Sequence, residues 1–139
     1  HGYDHLHHWK VSPLRAIKDI KCGWKAIDDV LGVDSGKYPY RPPYGKLNLV
    51  SLLYLLLLRV PILYWTFDLG DTGLLDGQNL PKNSLISSNT RGDVILAHDF
   101  DRPDKSIDQF VLETVKSLVT LAENNRLRVL TTSELLKAD

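Results

Sequence analysis

Four short stretches of this chain carry side chains that could do chemistry together: His1-Gly2-Tyr3-Asp4-His5, Arg41-Pro42-Pro43-Tyr44-Gly45, Trp65-Thr66-Phe67-Asp68-Leu69-Gly70-Asp71 and Ile95-Leu96-Ala97-His98-Asp99. His1 and His5 are four residues apart, so a helical turn puts both imidazoles on one face, close enough to share a metal ion. Taken alone, two histidines at this spacing are more often incidental surface residues. His7 and His8 follow, which raises a third local ligand or a tag remnant as further readings. Interruption by Gly, Tyr, Asp and Leu, and the direct run into Trp9, speak against a tag.

The Arg41–Gly45 stretch is at minimum a rigid exit from a strand. Two prolines fix φ and remove two donors, while Gly45 permits φ > 0. Rigidity is also what an oxyanion site needs, since a backbone N–H must stand where negative charge develops. The segment by itself leaves both readings open. Asp68 and Asp71 close an apolar run, 60–67, that reads as a short buried strand bounded by Pro61 and Gly70. Carboxylates at such a strand end ordinarily cap a helix or meet solvent. The run 93–99 has the make-up of a buried parallel strand that delivers a histidine at its C-terminal end. His98 is there either a satisfied core residue or a catalytic one. In α/β barrels, polar groups at C-terminal strand ends are where catalytic residues collect.

Taken in order, the four stretches resemble the second to fifth motifs of the polysaccharide deacetylases, the NodB-homology or family-four carbohydrate esterase group. The resemblance spans nearly the whole chain, and the family's first motif, a Thr-Phe-Asp-Asp-Gly segment, should precede His1. Thr66-Phe67-Asp68 looks like its beginning, but it lacks the second adjacent Asp and lies between the third and fifth motifs. The resemblance implies metal-dependent hydrolysis of an acetyl group from an N-acetylated polysaccharide, chitin-like or peptidoglycan-like. It implies His1 and His5 as metal ligands, with zinc the expected ion and an Asp of the upstream segment as third ligand. A second carboxylate of that segment would be the base, tethered by Arg41, and the Tyr44 N–H would hold the oxyanion against the substrate. His98 would protonate the leaving nitrogen, Asp71 would orient it, and Leu96 would line the acetyl pocket. Thr72 stands where the family pattern has a tryptophan in the pocket wall, so a wider pocket is expected unless Leu74 or Leu75 folds back to close it. Without base and third ligand the chain as given is expected to be a poor catalyst, its partner being the missing N-terminal segment of the same domain.

Positioning these groups falls to alternating elements. Ser12-Pro13 predicts an N-cap and first helical position, followed by Leu14, Ile17, Ile20, Trp24, Ile27 and Leu31 at helical spacing, with Gly32 as the stop. A strand is expected at 38–41, then a leucine-rich helix, 47–58, buried against a sheet, then the strand ending at Asp68. The polar stretch 70–91 shows no periodicity and is longer than compact domains normally tolerate unless it serves a site. After the His98 strand, a Ser106-x-x-Gln109 capping box opens a helix with Ile107, Phe110, Val111, Thr114, Leu118 and Leu121 on one face. A short strand at 128–131 and a turn at 133–137 end the chain. This alternation predicts an α/β fold with a parallel sheet or barrel. The resemblance implies a distorted (β/α) barrel of the polysaccharide deacetylase type, incomplete in this chain, with 1–139 as the C-terminal portion of a single domain.

The 139 residues carry 17 basic and 17 acidic side chains, which gives no electrostatic case for nucleic acid or an anionic membrane. The leucine-rich segment contains Asn48 and Ser51 and stops at Arg59, too short for a membrane span. Cys22, the single cysteine, excludes an intrachain disulfide and leaves the redox compartment open. The chain has no methionine and begins with His1, so a fragment is the simplest account. A secreted or cell-surface protein is expected. The alternative is a non-catalytic carbohydrate-binding relative, in which the groove survives and the reaction does not; an Asp-Asp pair upstream of His1 favours the enzyme. A third reading, His1 as a true N-terminus chelating copper, explains none of the other three motifs.

Overall fold

Ser12 enters the first helix in an extended conformation (φ −60°, ψ 147°), and Pro13 opens it where a missing N–H costs nothing. Helix α1 then runs Pro13–Leu31, and Gly32 stops it at φ 63° with its N–H returned to the Asp28 carbonyl at 2.8 Å. The structure, a computed structural model, describes residues 1–72, 92–99 and 105–137. It divides into two compact units, His1–Tyr64 and Trp65–Asp139.

The face that α1 buries differs from the one its apolar spacing predicts. Leu14, Ile27 and Leu31 are exposed, while Ala16, Asp19, Ile20 and Gly23 are buried. The reason is the close approach of the first residues of the chain. A Cβ on Gly23 would stand 2.3 Å from the His1 carbonyl oxygen, and one on Gly2 would stand 2.0 Å from Asp19 Oδ2. Gly23→Ala should therefore push the 1–3 segment off α1 and cost about 1–3 kcal/mol, the usual penalty of overpacking. A urea midpoint equal to the parent's would show that the segment is not held there.

Asn48 caps the next helix, α2 (Leu49–Leu57), by accepting the Ser51 N–H at 2.8 Å, and its amide Nδ2 donates to the His8 carbonyl, also at 2.8 Å. The helix is ended by Arg59 at φ 56°. Contrary to the expectation of a leucine helix buried against a sheet, α2 packs on α1 and buries only Ser51 and Leu55. Leu49, Leu53, Leu56 and Leu57 are exposed. Ile20, Tyr40, Leu55 and Val60 form the core of this unit, with Trp24, Leu47, Tyr54 and Ile62 packed around them. The 38–41 strand is present as a single parallel bridge, Tyr40 to Ile62.

In the second unit, β1 (Phe67–Asp68) and β2 (Ile95–Leu96) pair in parallel, Phe67 opposite Ile95 and Asp68 opposite Leu96. Helix α3 covers Lys105–Asn124, and Ile107, Phe110, Thr114, Leu118 and Leu121 are among its half-buried positions around buried Val111. Ser106 lies inside α3 rather than capping it, and Gln109 donates forward to Glu113 at 2.8 Å. The expected strand at 128–131 instead leads into α4 (Thr132–Leu135), whose capping box joins Thr131 and Glu134. The 70–91 stretch falls, from residue 73 on, outside the described residues.

The expected (β/α) barrel is therefore corrected. Among the described residues helix dominates (51%), the one sheet has two short parallel strands, and there is no barrel. A strand exists only where a neighbour takes up its N–H and C=O groups. Among the described residues the apolar run 60–67 meets such neighbours at two places, Tyr40, which bonds the Pro61 carbonyl and the Leu63 N–H, and Val94, whose carbonyl accepts the Thr66 and Phe67 N–H groups. Among the described residues no helix is long and apolar enough to cross a membrane.

Candidate functional site

In the first unit the geometry starts from Asp19. It is 4% exposed on α1 and accepts the Asp4 N–H at 2.7 Å and the His8 Nε2–H at 3.0 Å, while its carbonyl accepts the Tyr3 N–H at 3.2 Å. Three bonds from one residue thus fold the 1–8 segment onto the helix. His8 is fully buried in this pair, its Nε2 taken up by the Asp19 carboxylate. Burial, with the Asp19 carboxylate nearby, pushes the Tyr40 phenol far above its usual value and keeps it protonated.

The segment held this way brings His1 to the proline loop. His1 Nδ1–H donates to the Arg41 carbonyl at 2.6 Å. Because a carbonyl can only accept, the ring's lone pair lies on Nε2, the tautomer of an imidazole whose outer nitrogen is steadied for metal binding. Arg41 enters this geometry through its carbonyl oxygen. The exposed His5 ring lies edge-on to His1, centroids 4.8 Å apart, and edge-on to Tyr44 at 4.6 Å. Among the described residues no group of three or more His, Cys, Asp or Glu gathers as a metal site. The two imidazoles fit zinc as part of a donor set, since zinc takes imidazole nitrogen and is completed by carboxylate or water.

Tyr44 occupies the 3₁₀ turn Pro43–Gly45 at φ 56°, ψ 16°, with Pro42 and Pro43 fully buried beside it. Left-handed backbone costs a residue other than glycine roughly 1–2 kcal/mol. Its ring is stacked by His7 at 3.7 Å and 10°, and met edge-on by Trp9 at 5.8 Å. Loss of solvent, then the charges of Lys10, His5 and Lys46, holds the His7 imidazole below its usual value. Lys46 Nζ sits 4.9 Å from the Trp9 ring centroid.

In the second unit the sheet delivers the other pair. The Leu69 N–H continues the ladder to the Leu96 carbonyl at 3.1 Å, and Gly70, at φ 69°, turns the chain with its N–H on Asp68 Oδ1 at 2.8 Å. Asp68, the last residue of β1, is exposed and tied into this turn. Asp71, 1% exposed, grips His98 twice: Oδ2 accepts the backbone N–H and Oδ1 the ring Nδ1–H, both at 2.9 Å. The grip fixes the ring plane and tautomer, so a proton delivered by this ring leaves from Nε2. Leu96 is buried on β2 and Thr72 is exposed in the turn; Leu74 and Leu75 lie outside the described residues.

Of the predicted residues, the structure joins His1, His5, Arg41 and Tyr44 in the first unit and Asp71 and His98 in the second. Asp19, His8 and the His7 stack had no place in the motif reading. The available signal was a carboxylate set between Ala16, Ile20 and Gly23 on the face of a helix. No protein-family model matches the chain, and no curated protein matches it.

Proposed function

We propose that this chain takes part in metal-dependent removal of acetyl groups from an N-acetylated polysaccharide, chitin-like or peptidoglycan-like, at or outside the cell surface. The observation that carries the reading is the set formed by His1, His5, Arg41 and Tyr44. Residues 40 positions apart in sequence meet through a 2.6 Å hydrogen bond that presents one imidazole in a metal-ready tautomer. The bidentate Asp71–His98 pair is what an acid for a leaving nitrogen requires.

In this reading His1 and His5 would hold zinc, with a carboxylate from a segment upstream of His1. Such an ion, when bound, polarises the amide carbonyl and lowers the pKa of a coordinated water. The Tyr44 N–H, which follows the buried Pro42 and Pro43, donates to the oxygen on which negative charge develops. His98 delivers a proton from Nε2 to the departing nitrogen, Asp71 keeping the ring aimed. Leu96 supplies apolar surface for the acetyl methyl, and the Arg41 guanidinium tethers the upstream carboxylate that acts as base.

The full-length protein should carry about one divalent ion per chain, as a single site of this kind predicts. His1→Ala and His5→Ala should each lose most of it, measured by elemental analysis. Unchanged metal content in both variants overturns the ligand assignment. Acetate release from N-acetylated oligosaccharides tests the reaction itself, and binding of the sugar without any release would identify a carbohydrate-binding relative instead.

A further inference from the structure

We propose that His7 is a positioning residue: its ring clamps the Tyr44 ring and thereby holds the Tyr44 peptide in the left-handed conformation that aims its N–H. The inference deepens the reading of Tyr44 as oxyanion donor and rests on it for its catalytic consequence, though not for the clamp. Tyrosine is an unusual occupant of this backbone region, which glycine, asparagine and aspartate enter more readily. The turn around it is closed by Gly45 N–H on the Pro42 carbonyl at 3.1 Å and Lys46 N–H on the Pro43 carbonyl at 3.3 Å. The second bond holds the peptide between Pro43 and Tyr44 by its oxygen alone, and the Tyr44 N–H donates to no acceptor among the described residues. The side chain is a second handle on that peptide, on the Tyr44 side of the turn.

Among the described residues three rings touch the handle, and His7 alone of them lies flat on it, at 3.7 Å and 10°. His7 is itself steadied. Its carbonyl closes a turn with the Lys10 N–H at 2.8 Å, and Trp9 meets its ring edge-on at 4.7 Å. The adjacent His8 is pinned through Nε2 to Asp19 and through its carbonyl to Asn48. A path of contacts therefore runs from α1 through Asp19, His8 and His7 to Tyr44. If the His7 face is lost, the Tyr44 ring can swing, φ can relax to negative values, and the N–H turns away from its target.

Two variants of the full-length protein separate a flat face from mere bulk: His7→Leu fills volume without a π surface, and His7→Phe keeps the surface without the nitrogens. NMR backbone shifts of Tyr44, which report its φ, should move toward negative-φ values in His7→Leu and stay at the parent's in His7→Phe. On an N-acetylated oligosaccharide, kcat should fall roughly two- to tenfold in His7→Leu, the range that an aromatic pair is worth, with KM little changed, and return in His7→Phe. Parent-like Tyr44 shifts in His7→Leu overturn the clamp, as does His7→Phe displaced from the parent as far as His7→Leu. Should the parent release no acetate, the proposed function falls, and the Tyr44 shifts still decide the clamp.

Discussion

Replacing His98 with alanine is expected to lower kcat on an N-acetylated oligosaccharide by about 10²–10⁴-fold, the usual contribution of a positioned acid or base. KM should change little, because a proton given to the leaving nitrogen is a transition-state interaction and not a ground-state one. Asp71→Asn should act in the same direction for a geometric reason. The carboxylate accepts two N–H groups of His98 at 2.9 Å, one from the backbone and one from the ring. An amide of the same shape offers one acceptor and one donor, so either the ring adopts the other tautomer or the backbone N–H loses its partner. Urea midpoints of both variants check that the fold survives. Acetate release at the parental rate in either one means that the proton comes from elsewhere.

Asp19→Ala is expected to cost about 2–5 kcal/mol, since two N–H groups lose their acceptor at about 1–3 kcal/mol each where buried. His8 is fully buried, and its Nδ1 has no partner among the described residues, so the variant leaves an imidazole with neither nitrogen satisfied. The Asp4 N–H loses its acceptor as well. Against a domain stability of typically 5–15 kcal/mol the loss is large. Asp19→Asn should cost less, because an amide can still accept the Asp4 N–H and donate to His8 in its other tautomer. Denaturant titration measures both. An Asp19→Ala midpoint equal to the parent's would mean that the 1–8 segment is held to α1 by something other than this carboxylate.

The helices were legible in the sequence because their signals are local. Pro13 and Gly32 bound α1, and the half-buried face of α3 follows the 3.6-residue period of Ile107, Phe110, Val111, Thr114, Leu118 and Leu121. The strands were legible in place but not in length, since the paired residues 67–68 and 95–96 lie in the runs read as strands, and an apolar run such as 60–67 becomes strand only where a distant segment pairs with it. The same locality divides the site. The motif spacing drew attention to Asp71 and His98, which share two hydrogen bonds. It said nothing of Asp19, because a carboxylate at a buried helix position makes sense only once His8 and the Asp4 N–H are known to stand opposite it.

Two of the bonds that tie the 1–8 segment to the rest of its unit, His1 to the Arg41 carbonyl and Asn48 to the His8 carbonyl, each close a span of 40 residues. Contacts of that separation bear a loop-closure entropy that helix α1 and the cap of α2 do not. Helix α1 and the cap of α2 can therefore form first on local contacts, while the core of Ile20, Tyr40, Leu55 and Val60 is itself gathered from distant positions, and the arm bearing His1, His5 and His7 docks onto that core. The reverse step needs only the arm's own contacts to break, so opening costs less free energy than global unfolding. Amide protons of 1–8 should then exchange through a sub-global event while those of α1 wait for the whole unit to unfold, which makes the arm the least durable part of the candidate site.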